Sequence, residues 1–318
     1  MLVIINPVSA NGATEKRWPA LHTLLQQRHT GPLEIRFTER PGHAAEIAAT
    51  AAGREAVICV GGDGTLNEIV NGLMRIDAAQ RPALAMVPSG TGSDFARALG
   101  VPQDPAAAVA AFSSTHVQSI DVGEIACMDG RALRTRFFVN VTGLGFDADV
   151  AEEIARAGER GRKGKAVYFL SVFRTLGKMR SRHMRITLMP DARGEQPRIL
   201  ECRSSLIAVC NGRFFGGGMH IAPHADPSDG AFDVVLLDSM GRVEFLANFL
   251  RVYRGTHLTH PKVRTARASA LRIEQVTRDG HPVRLQAEGE LLGEAPVSIR
   301  MAATKVKFLT PVQLDSNY

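Results

Sequence analysis

Aromatic residues are scarce in this sequence, paired cysteines are absent, and no apolar run is long. Phe, Trp and Tyr make up 6% of 318 residues, and no nucleic-acid recognition motif appears, so a nucleic-acid partner is excluded from the reading. The four cysteines (Cys59, Cys127, Cys202, Cys210) lie far apart without a CxxC pair. The Val57-Ile58-Cys59-Val60 run reads as a buried thiol, and the set as that of a reducing, cytoplasmic compartment. No apolar stretch approaches the roughly 18 residues that span a bilayer. Met1–Asn6 lacks the basic region and cleavage site of a signal peptide and reads as a first β-strand. The expectation is a chain that touches a membrane without crossing it.

What is present is an ordinary globular composition, 45% hydrophobic and 22% charged, long enough for two domains. The formal charge of +6 is uneven, with ten Lys/Arg and one acidic residue, Glu159, between Arg156 and Arg185. Such a segment suits an anionic lipid surface, each basic side chain adding on the order of 1 kcal/mol, and equally a solvated helix face.

Over the first 115 residues strand-like and helix-like segments alternate: Leu2–Asn6, a helix through Leu21 to Arg28, Leu33–Thr38, a helix Gly42–Ala52, Ala56–Gly61, a helix Thr65–Met74, and Leu84–Pro88. That order predicts a parallel sheet with helices on both faces. An Ala-rich helix, Asp104–Ser114, follows. From about residue 118 the runs become longer and β-branched: Gln118–Ile125, Phe137–Thr142, Met184–Met189, Arg198–Asn211, Phe232–Leu237, Val263–Val276, Val283–Glu288 and Val297–Leu309. Three helices, Asp149–Ala157, Ala166–Met179 and Val243–Tyr253, interrupt them, which predicts a mainly antiparallel second domain.

Three polar, glycine-bearing loops leave strands of the first part: Asn6-Pro7-Val8-Ser9-Ala10-Asn11-Gly12, Gly61-Gly62-Asp63-Gly64-Thr65 and Pro88-Ser89-Gly90-Thr91-Gly92-Ser93-Asp94-Phe95. Glycines admit positive φ and close approach of backbone N–H groups to phosphate, and Thr65-Leu-Asn-Glu68 reads as a capping box opening a helix toward an anion. A carboxylate such as Asp63 beside phosphate repels it unless Mg²⁺ or a substrate hydroxyl mediates, which points to phosphoryl transfer. Gln286-Ala-Glu288-Gly289-Glu290 sets two carboxylates around a glycine near a strand end. Asp226-Pro-Ser-Asp229-Gly-Ala231 offers the hard oxygens Mg²⁺ prefers, although Asp-Gly turns are common without metal. His220 and His224 lack a third ligand for zinc. Phe169, Val172, Phe173 and Leu176 share one helical face between the basic flanks Arg162-Lys163-Gly-Lys165 and Lys178-Met-Arg180, the pattern of an interfacial helix or of a core stripe.

Taken together, Asn6-Pro7, Gly61-Gly-Asp-Gly-Thr65-Leu-Asn-Glu68, Ser89-Gly-Thr-Gly-Ser-Asp-Phe95, Gly145-Phe-Asp-Ala-Asp149 and Asp229-Gly-Ala-Phe232 resemble, in order, the signature set of the diacylglycerol/sphingosine lipid kinase family. The resemblance implies an α/β nucleotide-binding domain like that of phosphofructokinases and NAD kinases, at residues 1–120 with 300–318. A β-rich lipid-binding domain would occupy 121–299. It implies ATP and Mg²⁺ as cofactors and a membrane lipid, diacylglycerol first, as the acceptor. Asn6, Thr38, Gly62, Asp63, Gly64, Thr65, Leu66, Asn67, Glu68 and Thr91 would line the nucleotide site. Asp226, Asp229 and the Ala231 carbonyl would hold the metal, and Asp149 would meet the lipid head group. Members carry Asp-Gly-Glu where this chain has Glu288-Gly289-Glu290, so Glu290 is the first choice as proton acceptor, with Glu288 and Asp63 the other candidates. The implied location is cytoplasmic with peripheral membrane contact, and a homodimer is compatible with the sequence.

Other readings are weaker. A soluble NAD kinase shares the Gly-Gly-Asp-Gly-Thr loop, but the Ser89–Phe95 run and the carboxylates near residue 290 favour lipid. Gly143-Leu-Gly145-Phe-Asp-Ala148 imitates a dinucleotide fingerprint but lacks its acidic partner about 20 residues on. Gly158 to Gly164-Lys165 has the wrong spacing for a P-loop. A binding module without turnover rests on Glu288 alone.

Overall fold

The structure, a computed structural model, describes residues 1–90, 92–130, 132–159, 165–190, 196–277 and 281–312. Thr91 and the Arg162-Lys163 part of the basic flank lie outside the described residues. The chain divides into two compact units, Met1–Asp121 with the segment that begins at Ala303, and Val122–Ala302.

The first unit runs β1 (Leu2–Ile5), α1 (Ala13–Arg28), β2 (Glu34–Phe37), α2 (His43–Ala49), β3 (Ala56–Gly61), α3 (Asp63–Leu73), β4 (Ala83–Pro88), α4 (Asp94–Ala98), α5 (Pro105–Ala111) and β5 (Thr115–Ile120). The second runs β6 (Gly123–Asp129), β7 (Ala132–Phe138), β8 (Val141–Gly145), α6 (Phe146–Glu159), α7 (Lys165–Leu176), β9 (Arg182–Met189), β10 (Arg198–Cys210), β11 (Phe232–Asp238), α8 (Arg242–Phe249), β12 (Val263–Ala268), β13 (Ala270–Gln275), β14 (Arg284–Ala287) and β15 (Glu290–Met301). β16 (Val306–Pro311) belongs to the first unit again.

In the first unit the strand order is β2-β1-β3-β4-β16-β5, parallel throughout except for the β16–β5 pair. β1 and β3 are buried along their whole length, as strands covered on both faces must be, and this is why they read as unbroken apolar runs. Val3, Ile5, Ile58 and Val87 pack against Trp18, Leu21 and Leu25 of α1. That helix starts at Ala13 and runs through Leu21 to Arg28, the end expected from the sequence. Pro19 inside it removes one backbone donor, yet the buried stripe continues across it.

The second unit's sheet is antiparallel in every pairing and runs β12-β11-β10-β8-β14-β15-β13-β9. An added β9–β10 pairing closes β10-β8-β14-β15-β13-β9 on itself, with β6 and β7 attached through β15. Inside the closed part sit Ile125, Phe138, Leu144, Ile186, Ile207, Phe232, Leu285 and Ile299. This is the α/β-plus-antiparallel-β architecture expected from the sequence. Four expected strands are each two: Gln118–Ile125 breaks between β5 and β6, Phe137–Thr142 between β7 and β8, Val263–Val276 at Ser269, and Val297–Leu309 between β15 and β16. Apolar alternation records burial, not the pairing partner, so it passes through a corner where the chain changes neighbours.

α3 packs on α2 with almost no space between them. A Cβ on Gly72 would collide with the Ala45 carbonyl oxygen and come within 2.8 Å of the Ala48 Cβ. Gly72→Ala is expected to lower unfolding stability by about 1–3 kcal/mol despite its better helix propensity, measured by urea denaturation; a neutral or stabilising effect would show that the two helices separate readily.

Candidate active site

The loops after β1, β3 and β4 gather at the carboxyl edge of the parallel sheet, where such folds bind ligands. Ser89 N–H donates to the Gly61 carbonyl at 2.8 Å and Asn6 N–H to the Val60 carbonyl at 3.0 Å, extending the ladder into the loops. Gly62 and Gly90 then meet backbone to backbone, since a Cβ on Gly90 would stand 2.6 Å from the Gly62 Cα. The Asn6 amide donates to Thr65 Oγ1 at 2.9 Å, and the Thr14 and Ser89 hydroxyls share a hydrogen bond of 2.6 Å.

α3 begins at Asp63 with Gly62 as its N-cap, so Thr65 lies inside the helix and the expected Thr65–Glu68 capping box does not form. Glu68 instead accepts from the Ala44 N–H at 3.1 Å, at the start of α2. Gly64 is exposed on the first turn, whose N–H groups have no intrahelical acceptor. The Leu66 side chain is fully buried, and Asn67 is buried against Asn71. Thr38, at the end of β2, donates its N–H to the Ile5 carbonyl at 2.8 Å.

Asp63 bridges two of the loops. Its carboxylate accepts from the Asp94 N–H at 2.8 Å and the Phe95 N–H at 3.2 Å, capping α4 from a different part of the chain. Burial, reinforced by the neighbouring Asp94 carboxylate, pushes the Asp63 carboxyl up to about 6 against the pull of those two donors. The edge therefore sets a helix N-terminus that attracts anions beside a buried acidic pair, with the Arg97 charge acting on Asp63.

In the second unit, Glu288 (φ +50°) and Gly289 (φ +89°) form the turn between β14 and β15. Glu288 folds back, its Oε1 accepting from the Val139 and Asn140 N–H groups at 2.7 and 2.8 Å. Glu290 is half exposed and paired with Arg136 at 2.7 Å. Two residues that sequence reasoning missed stand behind this turn. Gln286, buried on β14, accepts from the Gly289 N–H at 2.8 Å through Oε1 and donates through Nε2 to the buried Asp147 carboxylate on α6. Gly143, opposite Gln286 on β8, makes room, because a Cβ there would collide with Asp147 Oδ2. Its glycine thus serves packing inside an antiparallel strand and not a dinucleotide turn.

Asp226 Oδ1 accepts from the Ser228 N–H and hydroxyl, while Asp229 accepts from the Ala231 N–H and pairs with Arg267 at 2.6 Å. Ala231 itself is buried. No cluster of three or more His, Cys, Asp or Glu occurs among the described residues. The loop's side-chain donors are hard oxygens of the kind Mg²⁺ takes, with Asp229 Oδ2 engaged by Arg267 and Asp226 Oδ1 by Ser228. His220 stacks on Phe214 with centroids 4.4 Å apart. Of the two carboxylates in α6's first turn, Asp149 faces Arg284 at 3.6 Å and Asp147 lines a cavity.

That cavity, about 90 Å³, lies among α6, α7, α8 and β11 and is walled mainly by apolar side chains including Phe146, Tyr168, Val172, Met219, Phe245 and Phe249. The stripe expected on one face of α7 divides: Val172 and Leu176 are buried and Phe169 is half-buried, whereas Phe173 is exposed, as is Leu170 outside the stripe. At 100° per residue, positions 172 and 176 share the inner face and 170 and 173 the outer one. Val243, Leu246 and Leu250, on and just after α8, are exposed as well.

Burial pushes the Asp147 carboxyl up to about 6, and the Gln286 amide opposes this. A folded-state pKa raised above the unfolded value means that the charged form is penalised in the fold. The penalty is absent near pH 4, grows as pH rises toward about 6, and is complete above it. Asp147→Asn is expected to match the parent protein near pH 4 and to exceed it by up to about 3 kcal/mol near pH 8, read by urea denaturation at both; a difference independent of pH would contradict the shift.

Two family models match the chain: the diacylglycerol kinase catalytic domain over residues 1–125 and the YegS C-terminal NAD kinase beta sandwich-like domain over 140–310. A diacylglycerol kinase of Mycobacterium tuberculosis (strain CDC 1551 / Oshkosh) is 28% identical over 313 residues, covering 97% of this chain and 94% of the relative. The crystal structure of a diacylglycerol kinase from Bacillus anthracis str. Sterne superposes with a TM-score of 0.71 at 23% identity, covering 97% of this chain and 96% of the other. Yeast NADH kinase, at 11% identity and a TM-score of 0.51 over 97% of this chain and 82% of its own, shares the fold. Matched along both units, the chain belongs to the bacterial diacylglycerol kinase-like family of lipid kinases and is a phosphotransferase.

Proposed function

We propose that the protein transfers the γ-phosphoryl group of ATP, with Mg²⁺, to a hydroxyl of a membrane lipid, diacylglycerol giving phosphatidic acid. The observation that carries the lipid acceptor is the apolar cavity under α7 and α8, in the same unit as the Glu288-Gly289-Glu290 turn. A polar acceptor such as a dinucleotide gains nothing from walls of Phe, Val and Met, whereas an acyl chain gains roughly 0.8 kcal/mol per methylene buried.

The nucleotide's phosphates are assigned to the first-turn N–H groups of α3 and to Asn6, Thr38 and Thr65, with Gly62 and Gly64 giving close backbone approach. Thr91 is assigned to the same site. Leu66 and Asn67 act from inside the helix by holding it in place, and Glu68 by tying α3 to α2. Asp63 keeps α4 against the loop. Asp226 and Asp229 would hold Mg²⁺ with the Ala231 carbonyl, where it would supply neutralisation of the charge that develops on the transferred group. Glu290, oriented by Arg136, accepts the hydroxyl proton. Glu288 uses its extra methylene to reach two backbone N–H groups and pins the turn. Asp149, paired with Arg284, stays the head-group candidate.

Outer-face Leu170, Phe173, Val243, Leu246 and Leu250, with exposed Arg174, Lys178, Arg242 and Arg254 nearby in sequence, are assigned to the cytoplasmic surface of an anionic membrane. No described helix is long and apolar enough to cross a bilayer.

The test is transfer of label from γ-labelled ATP into organic-extractable product, using vesicles of each candidate lipid. Label is expected in a hydroxyl-bearing lipid only when Mg²⁺ is present, and Glu290→Gln should lower kcat by about 10²–10⁴-fold. Phosphorylated NAD with no lipid product would overturn the acceptor; a Glu290→Gln enzyme at full rate would overturn the assigned proton acceptor.

A further inference from the structure

Asp147 occupies a place where a carboxyl is costly. It is 8% exposed, lies in the wall of the apolar cavity, and among the described residues no cation pairs with it. An apolar or amide side chain there would avoid the desolvation of a charge. Its partner is the neutral Gln286 amide, 3% exposed.

That partnership fixes an orientation. A carboxylate only accepts hydrogen bonds, so it selects the Nε2 end of Gln286 and turns Oε1 the other way. Oε1 takes the Gly289 N–H at 2.8 Å, in the middle of the carboxylate turn. The corridor is built for this: Gly143 leaves out the Cβ that would collide with Asp147 Oδ2, and Thr142 Oγ1 holds the Gln286 carbonyl at 2.6 Å. The turn needs such a support, because Glu288 adopts φ +50°, uncommon for a residue with a side chain.

We propose that Asp147 is a positioning residue for the Glu288-Gly289-Glu290 turn, acting through the Gln286 amide, so that the wall of the lipid cavity holds the carboxylates that serve the acceptor hydroxyl. The proposal rests on the lipid kinase reading given above. A displacement of about 1 Å at a reacting group costs on the order of 10²-fold in rate, so loosening the turn acts on kcat and leaves ATP binding in the other unit untouched.

The experiment uses the full-length protein with diacylglycerol in mixed micelles and four variants: Asp147→Ala, Gln286→Leu, the double variant, and Asp147→Asn, whose amide oxygen still accepts from Gln286. Each single truncation should lower kcat by about 10- to 100-fold with KM for ATP within about twofold. The double variant should be no worse than about threefold below the weaker single one, and Asp147→Asn should recover most of the rate. Hydrogen exchange at the Gly289 amide, which needs no turnover, should speed up about tenfold or more in Asp147→Ala and Gln286→Leu and stay near the parent value in Asp147→Asn. Losses that multiply in the double variant, a parent-like rate in a folded Asp147→Ala, or unchanged Gly289 exchange would each overturn the proposal. If the parent protein phosphorylates no lipid, the kinase reading fails, and the exchange measurement still decides whether Asp147 holds the turn.

Discussion

The first unit depends on one contact, the backbone of Gly62 against the backbone of Gly90. β3 and β4 are neighbouring parallel strands, so their loops leave at the same edge and compete for the same space. Without side chains at the meeting point they close up, and Asp63 comes within reach of the first N–H groups of α4. A methyl group on Gly90 would force the loops apart and pull those donors from the carboxylate, while one on Gly62 would stand a tight 3.2 Å from the Gly90 Cα. The glycines therefore serve the loop-to-loop fit as directly as they serve approach to a phosphate. The consequence is electrostatic: closing the loops brings Asp63 beside Asp94 in a partly dry site, which is why its carboxyl titrates high.

The second unit solves a different problem. Its sheet closes through β9 and β10, which removes most exposed edges and fills the interior with its own side chains. The ligand-sized space arises outside it, where β10 and β11 are apolar on the outer face too and α6, α7 and α8 cover them. Helices that carry apolar residues inward at Val172 and Phe245 and outward at Phe173 and Val243 do not gain from water on either side. Under the proposed function, that two-sided character would link a cavity for acyl chains with a surface for the bilayer that supplies them.

Most of the fold was legible in the sequence because continuous apolar strands and the glycine loops between them are local signals. Ala56–Gly61 was readable to the residue, and the antiparallel second half was evident from its β-branched alternation. What escaped was non-local. The break at Ser269 does not interrupt the alternation, since Ala268 and Leu271 on its two sides are buried. The capping box at Thr65 failed because α3 starts at Asp63, two residues earlier, and the Glu68 carboxylate found α2 instead. The α7 stripe divided because four apolar residues span more than one face of a helix, and only the neighbours in space decide which pair turns outward.

The same limit explains Asp147. The Gly145-Phe-Asp-Ala-Asp149 run directs attention to Asp149, yet Asp149 turns to Arg284 and it is Asp147 that enters the cavity wall. Gly143 looks like a phosphate-loop glycine until the register of β8 against β14 sets it opposite Gln286. Then its missing side chain has a cause four residues later in the chain, the Asp147 carboxylate that occupies the space a Cβ would fill. A buried acid held by an amide, with no cation among the described residues to offset its desolvation, weakens the fold at neutral pH. An arrangement that weakens the fold and spans three strands and a helix to end on a turn of two glutamates is better explained by what the turn does than by stability.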